Sequence, residues 1–110
     1  MAPLDDQLPL KPADFHILLA LSAERRHGYG IMKEVERESE GKVRLEIGSL
    51  YRLLGRLLDD GLIEMEETEG RRRYYSLTRF GRSVLKAEAQ RLAGLVDLLR
   101  SRKLAPRTDS

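Results

Sequence analysis

Between Ile47 and Asp60 the chain splits lengthwise into two unlike faces. At 100° per residue, Ile47, Leu50, Leu53, Leu54, Leu57 and Leu58 fall on one side of a helix. Gly48, Ser49, Arg52, Gly55 and Arg56 fall on the other, Tyr51 stands at the border, and Gly61 stops the run. A stripe of large apolar side chains requires a core to receive it. The opposite face offers only small, polar and cationic groups. Any fold for this chain must pack one side of this helix and present the other.

The preceding segments supply that core. Pro12–Ala23 reads as a helix, because Pro12 suits a first turn, where its missing N–H costs nothing. Phe15, Ile17, Leu18, Leu19 and Leu21 make it apolar on nearly every side, so it is expected to be almost wholly buried. Arg25-Arg26-His27-Gly28 breaks it, and His27 beside Gly28 fits a turn role. A second helix is expected over Tyr29–Ser39, with Ile31, Met32 and Val35 inward and Gly41 as C-cap. Lys33, Glu34, Arg37 and Glu38 are expected on its wet side. Val43-Arg44-Leu45 reads as a short extended piece.

After Gly61 the period changes from 3.6 to 2. Leu62–Glu67 and Arg72–Leu77 alternate as strands, and Thr68-Glu69-Gly70-Arg71 supplies the turn between them. Thr78 then offers an N-cap to a final helix over Arg79–Arg102, about 36 Å long. Val84, Leu85, Ala89, Leu92, Leu95, Val96 and Leu99 form one stripe along it. So small a domain has little core left to cover that stripe, and a second copy is its expected cover. Glu88 falls inside the stripe, either at a wet rim or near the dimer seam, where a buried carboxylate would need Arg82 or Arg91 of either chain. The expected organisation is a flexible arm over 1–11, a core domain over 12–78, a dimerisation helix over 79–103 and a disordered tail over 104–110.

Composition removes several kinds of function. The 110 residues favour one domain. Without cysteine there is no disulfide, thiol catalysis or thiolate metal site, and His16 and His27 are poorly spaced for a metal. His16 reads as a packed histidine. No Gly-x-Ser-x-Gly elbow, phosphate-cradling glycine loop or zinc helix signature occurs, so no enzyme, cofactor or metal is expected. No apolar run spans a bilayer and the start is unlike a signal peptide, which makes a cytoplasmic location the expectation. The net charge is only +2, but it is segregated. Fifteen of the 20 basic residues are arginine, three of them together as Arg71-Arg72-Arg73, while acids collect at 34–40, 59–60 and 64–69.

Three helices, a hairpin and a long helix, in that order, predict a mainly α fold with a small β-hairpin. This is a winged helix-turn-helix followed by a C-terminal dimerisation helix. The third helix would be the reader. Gly48 lets backbone come close, Ser49 can bond a phosphate or base edge, and Arg52 and Arg56 can reach phosphate or guanine. Arg56 could instead pair with Asp59, Asp60 or Glu46 on a solvated face. Arg71, Arg72 and Arg73 would carry the wing to phosphates or a minor groove. Tyr29 serves either core or groove, Tyr51 packs and reaches a phosphate, and Tyr74 and Tyr75 read as strand packing. A protein-docking winged helix is the competing class, and RNA binding lacks its aromatic platforms.

Several motifs then stand in order: His27-Gly28-Tyr29-Gly30-Ile31, Gly48-Ser49-Leu50-Tyr51-Arg52-Leu53-Leu54, Asp60-Gly61-Leu62-Ile63, and Gly70 through Thr78 with Gly81. With them the chain resembles the PadR-like transcriptional regulators over about Ala13–Leu99. The resemblance implies a dimeric repressor acting on a pseudo-palindromic double-stranded DNA operator. Tyr29, Lys33, Ser49, Tyr51 and the wing arginines would lie near the DNA. Leu85, Glu88, Ala89, Leu92, Leu95, Val96 and Leu99 are the expected dimer residues. It also leaves open a small-molecule effector at the dimer interface. Ser49 replaces the family's usual Thr, and Glu46-Ile47 stands where a small polar cap followed by Pro or Gly is usual.

Overall fold

The structure is a computed structural model that describes residues 4–68 and 70–104. After a 3-10 turn at Leu4–Gln7 come α1 (Pro12–Ala23), β1 (Arg26–His27), α2 (Gly28–Glu38) and α3 (Ile47–Asp59). The hairpin β2 (Ile63–Glu67) and β3 (Arg73–Leu77) follows, and α4 (Arg79–Ser101) ends the described chain. The fold is mainly helical, with a winged helix-turn-helix arrangement and a long last helix. Every expected helix and hairpin boundary falls within a residue of its place. Unexpected is β1, which is too short to show any period. It pairs antiparallel with β3, Arg26 opposite Tyr75 and His27 opposite Tyr74, giving the sheet order β1-β3-β2. Val43–Leu45 forms no strand.

The core gathers Ile17, Leu18 and Leu21 of α1, Ile31 and Val35 of α2, and Leu50, Leu53, Leu54 and Leu57 of α3. Leu62, Ile63, Tyr75 and Val84 close it from the hairpin and α4. Ile47 departs from the expected stripe and is 66% exposed. Its angle on the wheel is right, but the first turn of α3 reaches past the elements that cover later turns. Glu38 also departs, because it is turned inward to accept a 2.7 Å bond with His16 Nδ1 of α1. Burial pushes the Glu38 carboxyl up, against the opposing pull of His16.

The joint between α3 and α4 sets where the hairpin stands. Gly61 is left-handed (φ +76°); its N–H bonds the Leu58 carbonyl and the Leu62 N–H bonds that of Leu57, a Schellman ending. Thr78 caps α4 by accepting from the Gly81 N–H at 2.9 Å, and its own hydroxyl donates to the Gly61 carbonyl at 2.7 Å. A Cβ on Gly81 would lie 2.0 Å from the Leu62 carbonyl oxygen, so only glycine lets α4 start this close to β2.

Two expectations are corrected at the N-terminal side. The segment 4–11 is not a loose arm, since Leu4, Leu8 and Leu10 pack against the core and the 3-10 turn lies on α4. Glu88 lies neither at a wet rim nor in the open stripe. It is 2% exposed, paired with Arg91 of its own helix at 2.6 Å, and accepts the Leu10 N–H at 3.2 Å. Here Arg91 does what either chain's arginine was expected to do. Leu85 is likewise half-buried on its own core. From Leu92 onward every described residue of α4 is exposed, Leu95, Val96 and Leu99 included, as is Ala89. The expected tail lies outside the described residues except for Leu104, as does Glu69 of the expected turn. Among the described residues no helix is long and apolar enough to cross a membrane.

Candidate nucleic-acid interface

The N-terminal turns of α2 and α3 meet beside the hairpin. His27 caps α2, its Nδ1 accepting the Gly30 N–H at 3.1 Å. A Cβ on Gly28 would stand 2.6 Å from the Tyr51 hydroxyl, so glycine at this place lets α3 lay Tyr51 across the first turn of α2. Glu46 provides no side-chain cap for α3. Between these helix starts and the hairpin opens a cleft of about 610 Å³, lined by His27, Gly28, Tyr29, Tyr51, Glu67, Arg71, Arg72 and Arg73.

The hairpin tip aims its cations by backbone geometry. The Thr68 N–H bonds the Arg72 carbonyl at 2.8 Å and the Arg71 N–H bonds that of Thr68 at 3.1 Å. Gly70 and Arg71 are both left-handed, at φ +82° and +62°. That conformation costs a residue with a Cβ about 1–2 kcal/mol, and glycine nothing. A guanidinium stands at Arg71 in spite of this.

Charge pairing separates these arginines from most of the others, Arg79, Arg82 and Arg102 of α4 and its end being the exceptions. Arg25, Arg26, Arg37, Arg44, Arg56, Arg91 and Arg100 each hold an acidic partner. Among the described residues no ion pair holds Arg52, Arg71, Arg72 or Arg73. All four are exposed. Arg73 lies by the Tyr75 hydroxyl, which burial and then the Tyr51 phenol push up, so it stays protonated. Lys33 stands 5.3 Å over the Tyr29 ring, and Tyr29 is 63% exposed, which resolves it as a surface residue rather than core.

On α3 itself Gly48 and Arg52 are exposed and Ser49 is half-buried. A Cβ on Gly48 would meet nothing within 4 Å, so the fold alone does not demand glycine there. Arg56 is corrected. It turns away from Arg52 to Asp14 of α1, at 2.5 and 2.6 Å to the two carboxylate oxygens, beside the N-terminal segment. The expected partner Asp60 was the nearer in sequence. Only packing of α1 on α3 brings Asp14, which is itself buried, within reach. Glu67 also lines the cleft, outside the expected site residues, and Ile47, expected in the core, stands exposed at the start of α3. The hairpin register that sets Glu67 opposite Arg73 would have found the first.

The PadR-like pattern of transcriptional regulators matches residues 17–87, from α1 into the first turns of α4. The chain belongs to the PadR-like family of transcriptional regulators. Solved structures with this PadR-like fold include a PadR family regulator from Clostridium difficile R20291, 25% identical, covering 83% of this chain and 97% of that one at TM-score 0.70. RosR of H. salinarum is 29% identical, covering 86% and 81% at TM-score 0.67. Bacillus subtilis PadR in complex with operator DNA is 24% identical, covering 72% and 46% at TM-score 0.64, a likeness of fold. An uncharacterised 37.1 kDa protein of a Streptomyces fradiae transposon is 40% identical over 83 residues, which are 76% of this chain. The PadR-like chain spans 24% of that relative's length.

Proposed function

We propose that this PadR-like chain is a homodimeric repressor that binds a pseudo-palindromic double-stranded operator, with the start of α3 in the major groove and the hairpin on the flanking backbone. One observation carries the reading: of the seven described arginines that no ion pair among the described residues holds, four are gathered here, Arg71, Arg72 and Arg73 on the rim of the cleft and Arg52 on the exposed face of α3, while Arg79, Arg82 and Arg102 belong to α4 and its end. A polyanion supplies the countercharges that the described residues do not. The B. subtilis relative of the same fold is in complex with operator DNA, which supports a duplex as the partner.

The dimer places Ala89, Leu92, Leu95, Val96 and Leu99 of α4 against a second copy, which covers a stripe the protomer leaves exposed. Two readers then enter successive major grooves roughly 34–36 Å apart. Selection from a random duplex pool, followed by gel-shift titration at several salt concentrations, tests the proposal. A palindromic consensus bound with a steep salt dependence is expected. No enrichment, or binding indifferent to salt, overturns it.

A further inference from the structure

The start of α3 carries an apolar feature inside an otherwise cationic surface. Ile47 is the first residue of α3 and is 66% exposed. It contributes nothing to the core, and a β-branched residue gains nothing in helix propensity there. Beside it lies a recess of about 90 Å³, lined by Gly28, Tyr29, Met32, Ile47, Leu50 and Tyr51. Its lining is mostly carbon, so a water inside would lack the two to four polar partners it needs. The recess shares Gly28, Tyr29 and Tyr51 with the arginine-rimmed cleft, so the two adjoin.

We infer that this recess receives the 5-methyl group of a thymine, which makes Ile47 a specificity-determining residue. The inference rests on the proposed DNA-binding reading and deepens it. The rim selects a polyanion, because Arg71, Arg72 and Arg73 bring charge that no ion pair among the described residues answers. An apolar pocket at the centre of a polyanion-binding surface needs an apolar group on that polyanion. In the major groove of a duplex, the thymine methyl is such a group. Gly48, next in the chain with open space around it, keeps the backbone low enough for a base edge to reach its neighbour. An apolar side chain from a protein partner would fill the recess equally well but would leave the arginines facing no countercharge.

The test uses the whole chain and duplexes enriched by it from a random pool. Each thymine in turn is replaced by 2′-deoxyuridine, which deletes the methyl and keeps the pairing. One thymine per half-site is expected to be sensitive, with affinity falling about fourfold, the effect of one buried methyl-sized group. Ile47→Ala is expected to bind the thymine and uridine duplexes alike, and Ile47→Val to keep most of the discrimination. Ile47 is exposed, so circular dichroism and thermal melting of both variants should match the parent. Enrichment without any uridine-sensitive thymine overturns the inference alone, as does sensitivity that Ile47→Ala leaves intact. Failure to enrich any duplex overturns the DNA-binding reading, and this inference with it.

Discussion

Arginine is common in this chain, and what distinguishes one from another is its partner. Arg56, on the same helix as Arg52, is spent on Asp14, while Arg52 is exposed and in no ion pair among the described residues. Arg72→Ala is expected to weaken binding to all duplexes alike and to lower the salt slope by about one. Arg52→Ala should weaken binding and relax sequence choice, and titrations on matched and mismatched duplexes at several salt concentrations separate the two. Glu67 points the other way, since its carboxylate lines the cleft and repels phosphate. Glu67→Gln should tighten binding about two- to fivefold at low salt, a gain that fades as salt screens it. Glu38 titrates with a sign of its own. Its folded pKa is raised, so the folded state holds the proton more tightly than the unfolded chain does. The stability this gives is complete below the ordinary carboxylate value and is lost as pH rises through the raised one. Glu38→Gln keeps a bond to His16 and removes the desolvated charge. It should flatten that fall and add up to about 1 kcal/mol at neutral pH, read from urea midpoints across pH.

At the scale of elements, the wing is placed by the α3–α4 joint rather than by its own strands. The hairpin leaves α3 through the Schellman turn at Gly61 and enters α4 through Thr78, and these two ends bond each other. A shift of either end would swing Arg71–Arg73 relative to α3. Gly81→Ala drives a Cβ into the Leu62 carbonyl and should cost about 2–3 kcal/mol or more, measured by thermal melting. DNA affinity should fall in the surviving folded fraction as well, because the hairpin must move. The N-terminal segment is tied to α4 in the same way, through Glu88. The Arg91 guanidinium, aided by the Leu10 N–H, outweighs burial and holds the Glu88 carboxyl below its usual range. That contribution is present at neutral pH and is lost only as pH falls below ordinary carboxylate values.

At the scale of the molecule, α4 has two halves with different partners. Up to Arg91 it packs on its own domain and the N-terminal segment, and from Leu92 to Ser101 every residue is exposed. Its 23 residues extend about 34 Å and give the chain its long axis of 53 Å. In the proposed dimer this outer half is the interface. Leu95→Glu should therefore leave the protomer fold intact by circular dichroism and shift sedimentation to monomer. DNA affinity should drop more than tenfold as the second reader is lost. The melting temperature of the parent should rise with protein concentration, and that of Leu95→Glu should not.

Much of this protein could be read from local pattern. The split of α3, the period change after Gly61, the cap at Thr78 and the apolar outer half of α4 are all short-range signals. Helix and strand periods, turns and caps act over a few residues, so sequence alone determined the order of the four helices and the hairpin and most of the core. Only the tertiary structure decided the assignments that depend on which distant residue arrives. The pairing of β1 with β3, Asp14 on Arg56, His16 on Glu38 and Leu10 on Glu88 each joins groups from separate elements. The exposure of Ile47 belongs with them. A helical wheel gives a side chain's direction but not where along its axis the neighbouring helices cease to cover it.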